Sequence, residues 1–130
     1  MKRICSILLL VFCATHFLYA QTEQENKIYD VVEIRPEFSG GEAARLTFFA
    51  ENIIYPQNAI NSGIQGTIFV SFIVEKDGSI SNIVVVRGLG GGLSEEAVRV
   101  IKAMPKWIPG SLDGHPIRVQ FFMPLRFALR

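Results

Sequence analysis

Cysteine is nearly absent from this 130-residue chain: Cys5 and Cys13 are the only two, and both fall in the first twenty residues. Everything after them has no disulfide to close a fold and no thiolate to ligate a metal or attack a substrate. Histidine is as scarce, with His16 in the same leading stretch and His115 alone beyond it. One histidine with no cysteine and no acid–histidine spacing around it matches no zinc template. An excess of one charge is missing too, since thirteen Lys and Arg stand against twelve Asp and Glu. No basic run gathers for nucleic acid or an anionic membrane surface. Nucleic acid, metal and cofactor are therefore not expected as partners. The apolar run over residues 4–18 is also short, at about fifteen residues where a spanning helix needs about twenty.

What is there begins with Lys2 and Arg3 ahead of that run, and Leu18-Tyr19-Ala20 closing it before polar Gln21. This is the layout of a secretory signal peptide, so cleavage after Ala20 and export are expected. An uncleaved membrane anchor is the alternative. Phe12 is too bulky to precede a lipid-modified Cys13, so no lipoprotein is expected. Without Lys2 and Arg3, eleven basic residues against twelve acids leave a net charge near −1. The remaining length suits one domain: residues 21–38 as a polar lead-in and residues 39–130 as the fold.

Ser39-Gly40-Gly41-Glu42 has capping-box spacing. Leu46, Phe49, Ala50 and Ile53 follow at helical intervals, predicting an amphipathic helix over residues 42–52 that faces the core. Pro56 suits the first position of a short helix closed by Gly63. From Gly66 a strand runs over residues 67–75, turns at Asp77-Gly78 and returns over residues 79–87. Ile68, Val70, Phe72 and Val74 share one face of the first strand, with Phe69 and Ile73 on the other, which places it inside a sheet. Ser94, Glu95 and Glu96 open a second long helix whose Leu93, Ala97, Val100, Ile101 and Met104 form a stripe, and Pro105 stops it. Asp113-Gly114 is a turn. In residues 117–127, Ile117, Val119, Phe121, Met123, Leu125 and Phe127 alternate with Arg118, Gln120, Phe122, Pro124 and Arg126, a strand with one apolar face. Pro124 has no ladder donor, so this strand is assigned to a sheet edge. The expectation is an α+β domain: a three-stranded antiparallel sheet with two or three helices packed mainly on one face.

Few groups suggest chemistry. Residues 87–93, Arg-Gly-Leu-Gly-Gly-Gly-Leu, lie between a strand and a helix, but Leu93 replaces the third glycine of a nucleotide loop. Ser94 has no histidine within its motif and serves as a cap. Glu95 and Glu96 are neighbours on a helix, so they diverge and do not pair as catalytic carboxylates. An enzyme is not expected. Trp107, between Pro105 and Pro109, is assigned to the core or its edge. Tyr55 can close the start of a helix while its hydroxyl faces outward.

Tyr55-Pro56 with Ala59, Gly63 and Gly66 begins a longer series. It continues through alternating Val70, Phe72 and Val74; Asp77-Gly78; Leu93 with Glu96-Ala97; Met104-Pro105-Lys106-Trp107; Pro109-Gly110; then Gly114, Pro116 and Pro124. In order and spacing this series, spread over residues 52–129, resembles the TonB C-terminal domain family of periplasmic energy transducers. Pro36-Glu37-Phe38 and Gly40-Gly41-Glu42-Ala43 resemble the extension common in Bacteroidetes-type members.

The resemblance implies the three-stranded sheet with two helices and no cofactor. It implies that an extended segment of an outer-membrane receptor, the TonB box, adds as a strand at a sheet edge. Carried onto this chain, the partner-binding residues are Arg118, Gln120, Phe122, Pro124 and Arg126 on the last strand, with Asn52, Tyr55 and Pro56 ahead of the short helix. A full transducer also needs an anchor that engages an inner-membrane motor complex and a long proline-rich arm. Residues 21–38 hold one proline and reach roughly 60 Å at full stretch, so peptide binding in the periplasm is expected ahead of complete energy transduction. The alternatives are a short anchored transducer at the inner membrane and a small secreted enzyme; paired edge strands would make a homodimer.

Overall fold

The computed structural model describes residues 26–130, so the expected signal peptide lies outside the described residues. In chain order the elements are β1 (Ile28–Tyr29), α1 (Gly41–Asn52), α2 (Gln57–Ser62), β2 (Gly66–Val74), β3 (Ile80–Arg87), α3 (Leu93–Lys102), β4 (Ser111–Leu112), β5 (His115–Pro116) and β6 (Arg118–Phe127). The fold is α+β, but the sheet is not the three-stranded antiparallel one expected. It has four strands in the order β1-β6-β2-β3, and β4-β5 form a separate ribbon. The extra strand is β1, which pairs in parallel with β6 through Ile28↔Arg118 and Tyr29↔Val119. Two residues carry no readable period, which is why the sequence pattern did not reveal it.

β2 lies inside the sheet, paired with β6 on one side and β3 on the other, and its helix-free face is covered only in part, with Phe69 43% exposed. Ile68, Val70, Phe72 and Val74 are fully buried on the helix side, and Ser71 and Ile73 are nearly so on the other. Each of the four contributes about 1.5–3 kcal/mol relative to an exposed side chain. Met123, Leu125 and Phe127 of β6 meet them from one side, and Leu93, Ala97, Val100 and Ile101 of α3 close over them. Trp107 fills the other end of this core at 3% exposure. Its ring stands edge-to-face on Phe38, Phe72 and Phe121, at centroid distances of 5.8, 5.5 and 5.0 Å.

The turns follow the glycines. Gly78 takes φ +86° at the β2–β3 hairpin, and a Cβ there would collide with the Trp107 carbonyl. The hairpin packs that closely because Trp107 N–H donates to the Gly78 carbonyl at 2.8 Å. Gly91, in the β3–α3 loop, has φ +68°, and a Cβ would sit 2.9 Å from the Ala59 Cα. The glycine-rich loop thus lets α2 approach.

Both expected side-chain caps are replaced by glycine caps. α1 starts from Gly40 and α3 from Gly92, each left-handed and with no side-chain cap bond. Ser39 Oγ donates to the Lys106 carbonyl at 2.5 Å, tying the start of α1 to the Trp107 connector. Ser94 Oγ accepts from Leu89 N–H at 3.0 Å and donates to the Leu89 carbonyl at 2.8 Å, closing the loop. Residues 34–38 also pack on the fold. Ile34 bridges Ser111, Glu37 bridges Ile108, and Phe38 joins the core.

Candidate functional site

The outer side of β6 is the feature the fold leaves unfinished. Its register with β2 runs unbroken from Gly66↔Phe127 to Val74↔Val119 and passes through Phe69↔Pro124. An unbroken ladder through a residue with no N–H requires Pro124 to turn its nitrogen away from β2. Residues of the same parity, Arg118, Gln120, Phe122 and Arg126, then turn their backbone groups outward with it.

The assignment of β6 as a plain edge strand needs correction at its start, where β1 already pairs with Arg118–Val119. Arg118 is committed there. Its Nε donates to Glu75 Oε1 at 2.6 Å and its Nη1 to the Asn26 carbonyl at 2.9 Å. The Arg118 guanidinium holds the Glu75 carboxyl below the usual carboxylate range, against the opposing effect of burial. Beyond Val119, no strand among the described residues pairs with the outer side of β6 over residues 120–127.

Two hollows follow one another along this open stretch. The first, about 300 Å³, lies between residues 30–36 and residues 119–122. The second, about 610 Å³, lies between α1 and residues 124–128. Each is lined by consecutive β6 residues of both parities. Alternate side chains of a strand leave on opposite faces, so only its backbone edge can present a run like that.

The expected site residues divide accordingly. Gln120 and Phe122 line the first hollow, and Phe122 is 61% exposed on the helix-free face. Pro124 and Arg126 line the second, together with Tyr55. The Tyr55 ring packs edge-on against Phe127 at 6.0 Å, and its hydroxyl donates to the Ile64 carbonyl and so is not free. Asn52 and Pro56 line neither hollow. Asn52 ends α1 with its Nδ2 donating to the Phe48 carbonyl at 2.8 Å, and Pro56 caps α2.

Two parts of the arrangement went unread in the sequence. Glu96 is only 8% exposed, and its Oε2 accepts from Ile54 N–H at 2.6 Å. Arg99 forks onto the same carboxylate at 2.5 and 2.8 Å and reaches the Asn52 carbonyl at 2.8 Å. The Arg99 hydrogen bond keeps the Glu96 carboxyl below the usual range, opposed by burial and helped by Ile54. This clamp fixes residues 52–54 and with them the position of Tyr55. Its signal was the i,i+3 Glu–Arg pair on α3, but nothing in the sequence named the backbone it holds.

The second is α1. Its stripe of Leu46, Phe49, Ala50 and Ile53 was expected to face the core, yet only Phe49 is buried and Leu46 is 59% exposed. All four line the second hollow.

The family model of the Gram-negative bacterial TonB protein C-terminal matches residues 51–129, more than half of the chain. The chain belongs to the TonB C-terminal family. This is a periplasmic, non-enzymatic domain associated with transport, and its partners are TonB-dependent receptors or related proteins. A search of curated proteins finds no match. Among the described residues no helix is long and apolar enough to cross a membrane. In this TonB-like chain, β1, residues 30–36 and nearly all of α1 precede the family match.

Proposed function

We propose that this chain is an exported periplasmic TonB-like domain that binds extended segments of TonB-dependent outer-membrane receptors by strand addition to the outer edge of β6. The observation that carries this reading is the outer side of residues 120–127, unpaired among the described residues and next to residues where β1 already adds as a strand. A six-residue segment gains about four backbone hydrogen bonds there, each worth roughly 0.5–1.5 kcal/mol net. Ordering the segment opposes this gain, so affinity falls in the micromolar range unless side chains or membrane tethering add to it. Tyr55 belongs to the site through the second hollow, and the Glu96–Arg99 clamp positions it.

The test is titration of a fluorescently labelled receptor peptide against the wild type and Gln120→Pro. The substitution deletes an outward donor and leaves the inward ladder to β2 intact. A loss of affinity of about two- to tenfold is expected with the circular dichroism spectrum unchanged, since one outward backbone hydrogen bond disappears. Equal affinities in two folded proteins would place the site elsewhere.

A further inference from the structure

We infer that the helix-free face of the sheet docks on an anionic lipid bilayer. The strand register builds this face. Arg87, Phe69 and Pro124 stand directly across the three strands in one row, and Val84, Ser71 and Phe122 stand in the next. Ile83 and Val85 of β3 pack on the core, so Val84 and Val86, which alternate with them, turn to the other face. Phe69, Val84, Val86 and Phe122 are all exposed there. One exposed apolar side chain needs no explanation. Four on the same face of adjacent strands form a contiguous patch, and such patches mark interaction sites.

Charge names the occupant. Arg87 borders the patch on β3, and Arg126, opposite Thr67 and one row beyond Phe69, borders it on β6. Both are exposed, and neither makes an ion pair among the described residues. The two lie far apart in the chain, so no basic run announces them; only the sheet brings them to one face. β2, β3 and β6 contain no acid, and Glu75, just past the end of β2, is already neutralised by Arg118. Phenyl rings between guanidiniums suit the boundary of an anionic bilayer, where rings enter among acyl chains and guanidiniums stay with the phosphates.

Size and charge count against a protein on this face. Three strands about 4.8 Å apart, over about six residues, cover roughly 300 Å², where a stable protein interface takes about 800 Å² from each partner. A second copy would also bring four arginines together with no acid between them. A bilayer sets no such minimum, because it yields to the shape laid on it. A strand added beyond β6 extends the sheet in its own plane, so a domain resting on lipid by this face holds that edge alongside the bilayer. This last consequence rests on the strand-addition reading; the lipid contact does not.

The experiment sediments the full exported chain with vesicles of phosphatidylcholine alone and of phosphatidylcholine mixed equally with phosphatidylglycerol. The partition coefficient should be at least about tenfold higher on the mixed vesicles, and the excess should fall at high salt. Arg87→Gln should lower binding to the mixed vesicles about fivefold and leave phosphatidylcholine unaffected. Phe69→Thr, which keeps a strand-forming residue, should weaken binding to both. Val86→Thr, at a more exposed position, repeats that test should Phe69→Thr lower the melting temperature. None of the three touches the residues proposed to bind receptor segments, so titration of the labelled receptor peptide should match the wild type for each. Equal sedimentation with the two vesicle types, or no effect of Arg87→Gln, would overturn the inference and leave strand addition standing. Arg87-dependent binding to soluble polyglutamate but to neither vesicle would assign the face to an acidic protein and overturn it. A dimer in light scattering that Phe69→Thr dissolves would assign the face to a second copy, with the same result.

Discussion

Removing the indole of Trp107 tests how the two ends of the domain are joined. The ring is 3% exposed and packs edge-to-face against Phe38 ahead of α1, Phe72 of β2 and Phe121 of β6. It therefore links the segment preceding the family match to the central sheet. A buried tryptophan withdraws about 150–250 Å² from water, which at about 25 cal/mol per Å² gives roughly 4–6 kcal/mol. Its Nε1 has no hydrogen-bond partner among the described residues, so Trp107→Ala breaks no polar contact and the loss is one of packing. Substitutions of this kind cost about 3–5 kcal/mol, the cavity included. With a urea slope of about 1–2 kcal/mol per molar, the unfolding midpoint should fall by about 1.5–5 M. Trp107 is the only tryptophan, so both proteins must be followed by far-ultraviolet circular dichroism rather than fluorescence. Trp107→Phe should fall between them, because a smaller ring keeps part of the edge-to-face packing. A midpoint shift below about 0.5 M with an unchanged slope would refute the reasoning, since no buried ring of that size leaves so little trace.

Gly78→Ala should destabilise by at least about 2 kcal/mol in thermal denaturation, since the left-handed backbone and the Trp107 carbonyl both oppose a Cβ. Gly114→Ala is the control: its φ is +77° but a Cβ meets nothing within 4 Å, so only the backbone strain of about 1 kcal/mol is expected. Glu96 and Glu75 both have carboxyls below the usual range in the fold. Their contribution to stability is present above the unfolded glutamate value of about 4.3 and is lost as pH falls through the lower folded values. Glu96→Gln should cost about 1 kcal/mol at pH 7, discounted for the exposure of Arg99, and should flatten the acid limb of the stability curve; a limb identical to wild type would show that the clamp carries no linkage.

The parts of the fold legible in the sequence are those where local pattern and tertiary demand coincide. β2 reads correctly because Ile68, Val70, Phe72 and Val74 alternate and both faces of the strand are apolar, which only an interior strand needs. The hairpin reads from Asp77-Gly78 because a left-handed glycine is required there whatever surrounds it. The helix starts misled because Ser39 and Ser94 have capping chemistry, but a glycine one or two residues away was free to take the cap. Both hydroxyls were then drawn to other partners, the Lys106 carbonyl and the Leu89 backbone. β1 was illegible because its pairing depends on the position of Arg118, which lies 90 residues from Ile28.

The α1 stripe shows why a site can hide inside a correct helix assignment. Periodicity in Leu46, Phe49, Ala50 and Ile53 says that one face of the helix avoids water, and it does not say what covers that face. A core and a groove awaiting a ligand impose the same pattern. The distinction comes from counting what is available to cover it. α3 and the sheet already enclose one another, and the edge of β6 beside α1 has no strand against it among the described residues. Phe49 and Ile53 find cover from within the chain, but Leu46 and Ala50 do not. Pro124 sharpens the point from the other side, because a residue that cannot donate to β2 settles which backbone groups face this groove. An exposed leucine alone would mean little. One that shares a hollow with a strand edge unpaired among the described residues is where the proposed added strand would be held.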